Sequence, residues 1–195
     1  MLIIHHRRNT LKLLAETHPR YGVEVDIRSD GSQLIVHHEP FKNAVGLEEW
    51  LQGYKHRLVI LNTKEEGLES HLSDLMKKYG IQDFFFLDQS FPFLVKTAKE
   101  GENRCAVRVS EYESVETALN LAGRVRWVWV DMFTRFPLTK EDYDQLKTAK
   151  FRLCLVSPEL QNHSVSMISE LKKYLQANDI SMDAVCTKSP ELWER

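Results

Sequence analysis

The chain has 195 residues, of which 43% are hydrophobic and 28% charged, and its formal net charge is −2. This length and balance predict one folded domain over residues 1–195. The lack of a basic field argues against a nucleic-acid partner, and the apolar runs are too short for the roughly 20 residues of a membrane span, so we expect no stable membrane anchor.

Strand-like and helix-like segments alternate along the whole chain. A strand over residues 2–6 is followed by a helix over residues 9–17 and a hairpin over residues 22–39. Six later apolar runs predict strands with amphipathic helices between them, and these strands end near Lys64, Asp88, Val109, Asp131, Val156 and Cys186. Such alternation is typical of a parallel α/β sheet.

About eight strand–helix units can be counted when the return strand of the hairpin is treated as an excursion. This count predicts an α/β fold, a compact (β/α)8 TIM barrel with a β-hairpin excursion after the second strand. The chain is slightly shorter than the usual minimum of about 200 residues, so the barrel must have short loops. An open doubly wound sheet is the alternative.

The hairpin carries the densest group of chemically active residues. Apolar residues at 23, 25 and 27 alternate with Glu24 and Asp26, which places both carboxylates on one face of a strand. Residues 29–32 predict a turn, and the apolar return strand ends in His37 and His38. Carboxylates beside acid–base groups indicate metal-assisted chemistry, although an alternating strand with two acids is also typical of a solvated sheet face.

These residues resemble, in order, the motifs of the glycerophosphodiester phosphodiesterases. The related phosphatidylinositol-specific phospholipases C share the two histidines and the E-x-D pair. The resemblance is strongest over residues 1–40 and continues to the end of the chain. Its motifs are His6-Arg7, Asn9-Thr10-Leu11, Gly22-Val23-Glu24-Val25-Asp26, Asp30-Gly31, Ile35-Val36-His37, Leu61-Asn62-Thr63-Lys64 and Cys186-Thr187-Lys188-Ser189-Pro190.

The resemblance implies a metal-dependent phosphodiesterase that hydrolyses a glycerophosphodiester or a similar small phosphodiester. His6 and His37 would be the general acid and base, with the assignment between them open. Arg7 and Lys64 would bind the substrate phosphate. Strand alternation allows only one residue of the His5-His6 pair to face the interior, and we predict His6 because Arg7 follows it.

The resemblance also implies a divalent cation, Mg²⁺ or Ca²⁺, held by Glu24, Asp26 and Asn62. Asn62 stands where the family has a third carboxylate, so the site loses a negative charge. Arg8 replaces a glycine, and His38 replaces the aspartate after the second histidine. These departures leave open a weakened barrel that binds a phosphorylated ligand without turnover. A phospholipase C or D type activity is a further alternative.

Other polar residues follow the predicted strands, and they either shape the choice of substrate or cap loops: Asp88, Arg108, Asp131 and Glu159. The three cysteines, Cys105, Cys154 and Cys186, lie in apolar strand-like runs and form no C-x-x-C pair. They predict reduced core thiols. Together with an N-terminus too short for a signal peptide, they predict a cytoplasmic protein.

Overall fold

The computed structural model of the chain describes residues 1–194. Its strands are β1 Leu2–His5, β2 Gly22–Asp30, β3 Gln33–Val36, β4 Val45–Gly46, β5 Val59–Thr63, β6 Phe84–Leu87, β7 Ala106–Val109, β8 Trp127–Val130, β9 Arg152–Val156 and β10 Ala184–Thr187. Its helices are α1 Leu11–Glu16, α2 Leu47–Gln52, α3 Glu69–Lys78, α4 Phe91–Lys99, α5 Val115–Leu119, α6 Lys140–Thr148, α7 Met167–Ala177 and α8 Pro190–Trp193, with a 3₁₀ helix at Pro158–Gln161.

Eight parallel strands form a curled sheet in which the first strand lies between the second and the last. The order is β6-β5-β2-β1-β10-β9-β8-β7, and β3 and β4 continue antiparallel from β2 as the hairpin excursion. A parallel bridge between Phe86 and Cys105, with a 2.8 Å bond from the Phe86 amide to the Arg104 carbonyl, brings β6 against β7. The barrel prediction is confirmed, and the doubly wound alternative is wrong because strands follow one another around the sheet in chain order.

Strand alternation divides the apolar residues between two buried layers. One cluster fills the inside of the barrel that the curled sheet encloses, and it includes Ile4, Ile60, Phe85 and Trp127. The other lies between sheet and helices and includes the β2 residues at 23, 25 and 27. Glu24 and Asp26 therefore occupy inward positions of β2, at the end where its neighbours also stop.

Gly22 is the first inward residue of β2, and the packing leaves no room for a side chain. A Cβ there would lie 2.8 Å from Ile4 Cγ1 and 3.1 Å from the Leu58 carbonyl oxygen. The glycine thus lets β1, β2 and β5 approach closely beneath the two carboxylates.

Side-chain caps mark the start of three helices. Thr139 and Asp142 form the reciprocal capping box of α6, and Ser114 caps α5. Helix α1 is shorter than expected, because Thr10 caps it by accepting from the Leu13 amide. The hairpin turn is also tighter, since β2 runs on through Asp30. Strand β4 and the 3₁₀ helix are too short to give a periodic signal. None of the helices within residues 1–194 is long and apolar enough to cross a membrane.

Candidate active site

A cavity of about 430 Å³ opens at the carboxyl ends of the parallel strands. Larger cavities of about 520 Å³ lie beside α4 and α5 and beside α7 and α8. We assign the site by convergent titratable groups and not by volume. Polar side chains that line this cavity are His6, Arg7, Glu24, His38, Asn62, Lys64, Asp88, Arg108, Asp131, Gln161, Asn162 and Lys188.

His5, the last residue of β1, and His6, which follows it, point in opposite directions. His6 faces the cavity, where its Nε2 lies 3.8 Å from Glu24 Oε2 and its Nδ1 is buried without a hydrogen bond. His5 packs on the other side, with its ring centroid 4.6 Å from that of Tyr21. Burial, followed by the charge of Arg7, lowers the pKa of His6 to about 3. The ring is therefore a neutral imidazole at neutral pH.

Glu24 holds the turn that follows His6. Arg7 adopts a left-handed conformation with φ of 51°, and its amide donates to Glu24 Oε2 at 2.7 Å. The Arg8 amide donates to the Glu24 carbonyl at 2.8 Å. The left-handed residue is Arg7 and not Arg8, so arginine in place of the expected glycine costs no strain at that position.

Asp26 is held by a reciprocal pair with Asn9. Asn9 Nδ2 donates to Asp26 Oδ2 at 2.7 Å, and the Asp26 amide donates to Asn9 Oδ1 at 3.0 Å. Arg7 Nε lies 3.5 Å from the same Asp26 oxygen. Both E-x-D side chains are only 1% exposed. Burial, and then the Asp26 charge, raise the pKa of Glu24.

Asn62 and Lys64 complete this side of the cavity. Asn62 Nδ2 donates to Glu24 Oε1 at 3.0 Å, while Lys64 Nζ donates to Asn62 Oδ1 at 2.7 Å. Lys64 Nζ also lies 3.2 Å from Asp26 Oδ1 and 3.5 Å from Asp88 Oδ2. The structure thus brings all three predicted metal residues together, with an ammonium among them.

This donor arrangement does not fit a divalent ion. Mg²⁺ and Ca²⁺ take six or more oxygen ligands at about 2.0–2.6 Å. The Asn62 amide oxygen is turned to Lys64, and three of the four E-x-D carboxylate oxygens accept hydrogen bonds from protein donors. Within residues 1–194, no three His, Cys, Asp or Glu side chains cluster as metal ligands would.

The cavity is lined by His38, whereas the second histidine predicted from the sequence is His37. Strand β3 ends at Val36, so strand alternation no longer sets which ring turns inward. His38 Nδ1 pairs with Glu39 Oε1 at 2.6 Å, and Arg28 Nε donates to the His38 carbonyl at 3.0 Å. His37 Nδ1 instead accepts from the Glu39 amide at 2.9 Å.

The opposite wall contains three of the four residues predicted to shape substrate choice. Arg108 pairs with Asp88, and its Nη1 lies 3.3 Å from Asp131 Oδ2. Asp131 is 1% exposed and also accepts from Gln161 Nε2 at 2.8 Å and from the Met132 amide at 3.0 Å.

Glu159, the fourth of these residues, is not among those lining the cavity. It accepts from Thr187 Oγ1 at 2.6 Å and from the Lys188 amide at 2.9 Å. It therefore ties the end of β9 to the end of β10.

Sequence reasoning passed over Asn9, Lys188 and Gln161 as site residues. Asn9 and Lys188 both lie inside motifs that carried the resemblance, and their place in these motifs could have indicated that they belong to the site. Gln161 lies at the end of the 3₁₀ helix, and no sequence pattern indicated it.

The fold is similar to that of three solved glycerophosphodiester phosphodiesterase structures. The Agrobacterium tumefaciens enzyme has a TM-score of 0.68 at 13% identity, covering 99% of this chain and 97% of its own. A putative enzyme from Galdieria sulphuraria has a TM-score of 0.71 at 19% identity, covering 99% and 96%. A Parabacteroides distasonis enzyme has a TM-score of 0.69 at 13% identity, covering 99% and 85%.

The fold alone does not separate functions. A mutant tryptophan synthase α-subunit from Pyrococcus furiosus also matches, with a TM-score of 0.56 at 15% identity, covering 98% of this chain and 88% of its own. No protein-family model and no curated protein matches the chain. The function of this chain therefore depends on the residues of its site and not on its fold.

Proposed function

We propose that this protein is a phosphoric diester hydrolase acting on a glycerophosphodiester or a similar small phosphodiester. One observation carries the proposal. His6, Glu24 and Lys64 line one cavity at the carboxyl ends of the strands, where barrels of this kind hold their active sites, and Asp26 Oδ1 lies 3.2 Å from Lys64 Nζ. The likeness to solved phosphodiesterases over nearly the whole chain supports it.

The chain supplies the groups that the reaction needs. The attacking oxygen must lose a proton, and the leaving oxygen must gain one as the P–O bond breaks. His6 and a histidine of the hairpin, His38 or the predicted His37, would carry these two transfers. Arg7 and Lys64 would hold the nonbridging oxygens by charge-assisted contacts.

Hydrolysis of a panel of glycerophosphodiesters and a chromogenic diester tests the proposal. The assay is run with chelator and with added Mg²⁺, Ca²⁺ or Mn²⁺. This comparison also tests the metal dependence that the resemblance implies, which the donor arrangement does not favour. We expect turnover that falls by about 10²–10⁴ in His6→Ala, the usual contribution of a general acid or base.

His37→Ala and His38→Ala form a matched pair for the second histidine. We expect a comparable loss in His38→Ala and a small change in His37→Ala, because His38 lines the cavity. The reverse order would restore the assignment made from the sequence. Folding of each variant is checked by circular dichroism.

A second candidate function is binding of a phosphorylated ligand without turnover. The contacts of the site carboxylates favour it, since the Arg7 amide and Asn9 already donate to them and Lys64 compensates the charge of Asp26. No hydrolysis of any diester by folded protein, combined with saturable binding of inorganic phosphate, would favour this reading over hydrolysis.

We further propose a cytoplasmic location. Its support is that Cys105, Cys154 and Cys186 are free and buried, which suits a reducing compartment. Burial raises the pKa of Cys105 to about 12.

A further inference from the structure

We propose that Lys64 is the built-in cation of this site, and that its ammonium stands in the place of a divalent metal ion. Its Nζ lies within 3.5 Å of oxygens from three residues, Asp26, Asn62 and Asp88. The proposal concerns how the site is neutralised. Its consequence for catalysis rests on the proposed phosphodiesterase function.

The orientation of the Asn62 amide is the first argument. Its nitrogen donates to Glu24 Oε1, and its oxygen accepts from Lys64 Nζ. Rotation of the amide by 180° would set oxygen against a carboxylate oxygen and NH₂ against an ammonium. Both contacts would be repulsive, so the neighbours fix the orientation. A carboxylate at this position could not donate to Glu24, and the residue type therefore matches the arrangement.

The occupancy of the carboxylate oxygens is the second argument. Glu24 Oε2 accepts from the Arg7 amide, and Asp26 Oδ2 accepts from Asn9. Asp26 Oδ1 makes no hydrogen bond, but Lys64 Nζ faces it at 3.2 Å. A metal ion would have to displace the lysine to reach this oxygen.

The charge balance of the site is the third argument. Glu24 and Asp26 are each 1% exposed, and two adjacent buried carboxylates require compensating positive charge. Lys64 and Arg7 supply it from within the chain. The sheet holds Lys64 in place, since its amide donates to the Ile27 carbonyl of β2 at 3.0 Å.

It follows that the positive charge for a bound phosphate comes from side chains. A lysine ammonium is a compact point charge that suits a phosphate oxygen. Lys188 lines the same cavity and offers a second ammonium from the end of β10. We therefore expect phosphate binding and turnover that do not depend on added metal.

Isothermal titration with Mg²⁺, Ca²⁺ and Mn²⁺ tests the proposal without reference to activity. We expect no saturable binding to the wild-type protein at millimolar metal. We expect binding to appear in the double variant Asn62→Glu with Lys64→Met, which restores a third carboxylate and removes the ammonium. Lys188→Met is the matched control, because it removes an ammonium of the same cavity that forms no ion pair with Glu24 or Asp26, and it gains no metal site.

Titration with inorganic phosphate tests the role of Lys64 directly. We expect Lys64→Met to weaken binding about tenfold or more, the loss of one charge-assisted contact, and Lys64→Arg to retain most of it. The proposal is overturned if the wild type binds a divalent ion and Glu24→Gln abolishes that binding. It is also overturned if phosphate affinity is unchanged in Lys64→Met. An absence of hydrolysis would contradict the proposed function and leave both binding results intact.

Discussion

The mouth of the barrel holds two clusters of acids and cations that differ in how completely they are paired. The β1–β5 cluster consists of His6, Glu24, Asp26, Asn62 and Lys64, and the β6–β8 cluster consists of Asp88, Arg108 and Asp131. In the first, His6 Nδ1 is buried without a hydrogen bond, and Asp26 Oδ1 has none although Lys64 Nζ faces it at 3.2 Å. In the second, both Asp131 oxygens accept hydrogen bonds, and Arg108 pairs with both carboxylates of the cluster and with Glu113.

This difference suggests that the β1–β5 cluster takes part in the chemistry and that the β6–β8 cluster forms a structural wall of the cavity. A buried polar atom without a partner raises the free energy of the folded state, and such atoms are expected where a ligand will complete the pairing. A fully paired cluster has no free hydrogen-bonding group for a substrate, and it can contribute only its shape and its charge. Asp88 joins the two clusters, since it contacts both Lys64 and Arg108.

Asp26→Asn and Asp131→Asn test this distinction with the same isosteric change at two equally buried carboxylates. In Asp26→Asn the new NH₂ group faces either Asn9 Nδ2 or Lys64 Nζ, both of which are donors. We expect kcat/KM to fall by about 10² or more, comparable with the loss of one preorganised electrostatic contact. Initial rates at low substrate concentration measure the change.

In Asp131→Asn the amide oxygen can keep the Met132 amide and Gln161 as partners, while the new NH₂ group replaces the oxygen that faces Arg108. We expect a fall in kcat/KM of less than about tenfold, since Arg108 keeps its pair with Asp88 and the lost contact lies outside the β1–β5 cluster. Equal losses in the two variants would contradict the division into a reactive cluster and a wall.

Asn9→Ala tests how much the β1–β5 cluster depends on the hydrogen bonds that hold Asp26. It removes the reciprocal pair with Asp26 while leaving every cavity-lining side chain in place. We expect kcat/KM to fall by about tenfold and the free energy of unfolding by about 1–2 kcal/mol, because a buried carboxylate oxygen and an amide lose their partners. Asn9→Asp is the companion variant. It should lose more activity, because it sets a third carboxylate against Asp26.

Gly22→Val probes the backbone beneath the E-x-D pair. The side chain would collide with Ile4 and the Leu58 carbonyl, so β2 must move away from its neighbours. We expect a loss of about 1–3 kcal/mol in the free energy of unfolding, the usual cost of overpacking. Gly46→Ala is the control, because a Cβ there meets nothing within 4 Å. Thermal unfolding of the two variants should therefore differ clearly.

The sequence predicted the fold, and it named several residues that the structure brings to one cavity, for identifiable reasons. Alternation of apolar runs predicted a parallel α/β sheet, the count of about eight units predicted the barrel, and period-two spacing placed Glu24 and Asp26 on one face. The position of His38 at the cavity could not be predicted, because this residue lies beyond the last residue of β3, where period-two spacing no longer applies; the role of His37 stays a prediction. The orientation of the Asn62 amide was equally inaccessible. It depends on Glu24 and Lys64, which meet it through the fold.

The adjacent histidines of β1 offer the smallest and most specific prediction. Burial, followed by the charges of Arg8 and His56, lowers the pKa of His5 from 6.5 to about 4. Between these values the unfolded chain binds a proton that the folded protein excludes, so His5 makes the protein less stable as pH falls from 6.5 toward 4. His5→Gln should make the stability depend less on pH. The measurement compares the urea midpoint of unfolding above pH 6.5 with the midpoint at a pH halfway between 6.5 and 4. His6 is also buried, so part of the dependence should remain. The control is His71→Gln, because His71 is exposed, and its stability should depend on pH as that of the wild type does. If His71→Gln flattens the pH dependence as much as His5→Gln does, the effect does not come from the burial of His5 against Tyr21.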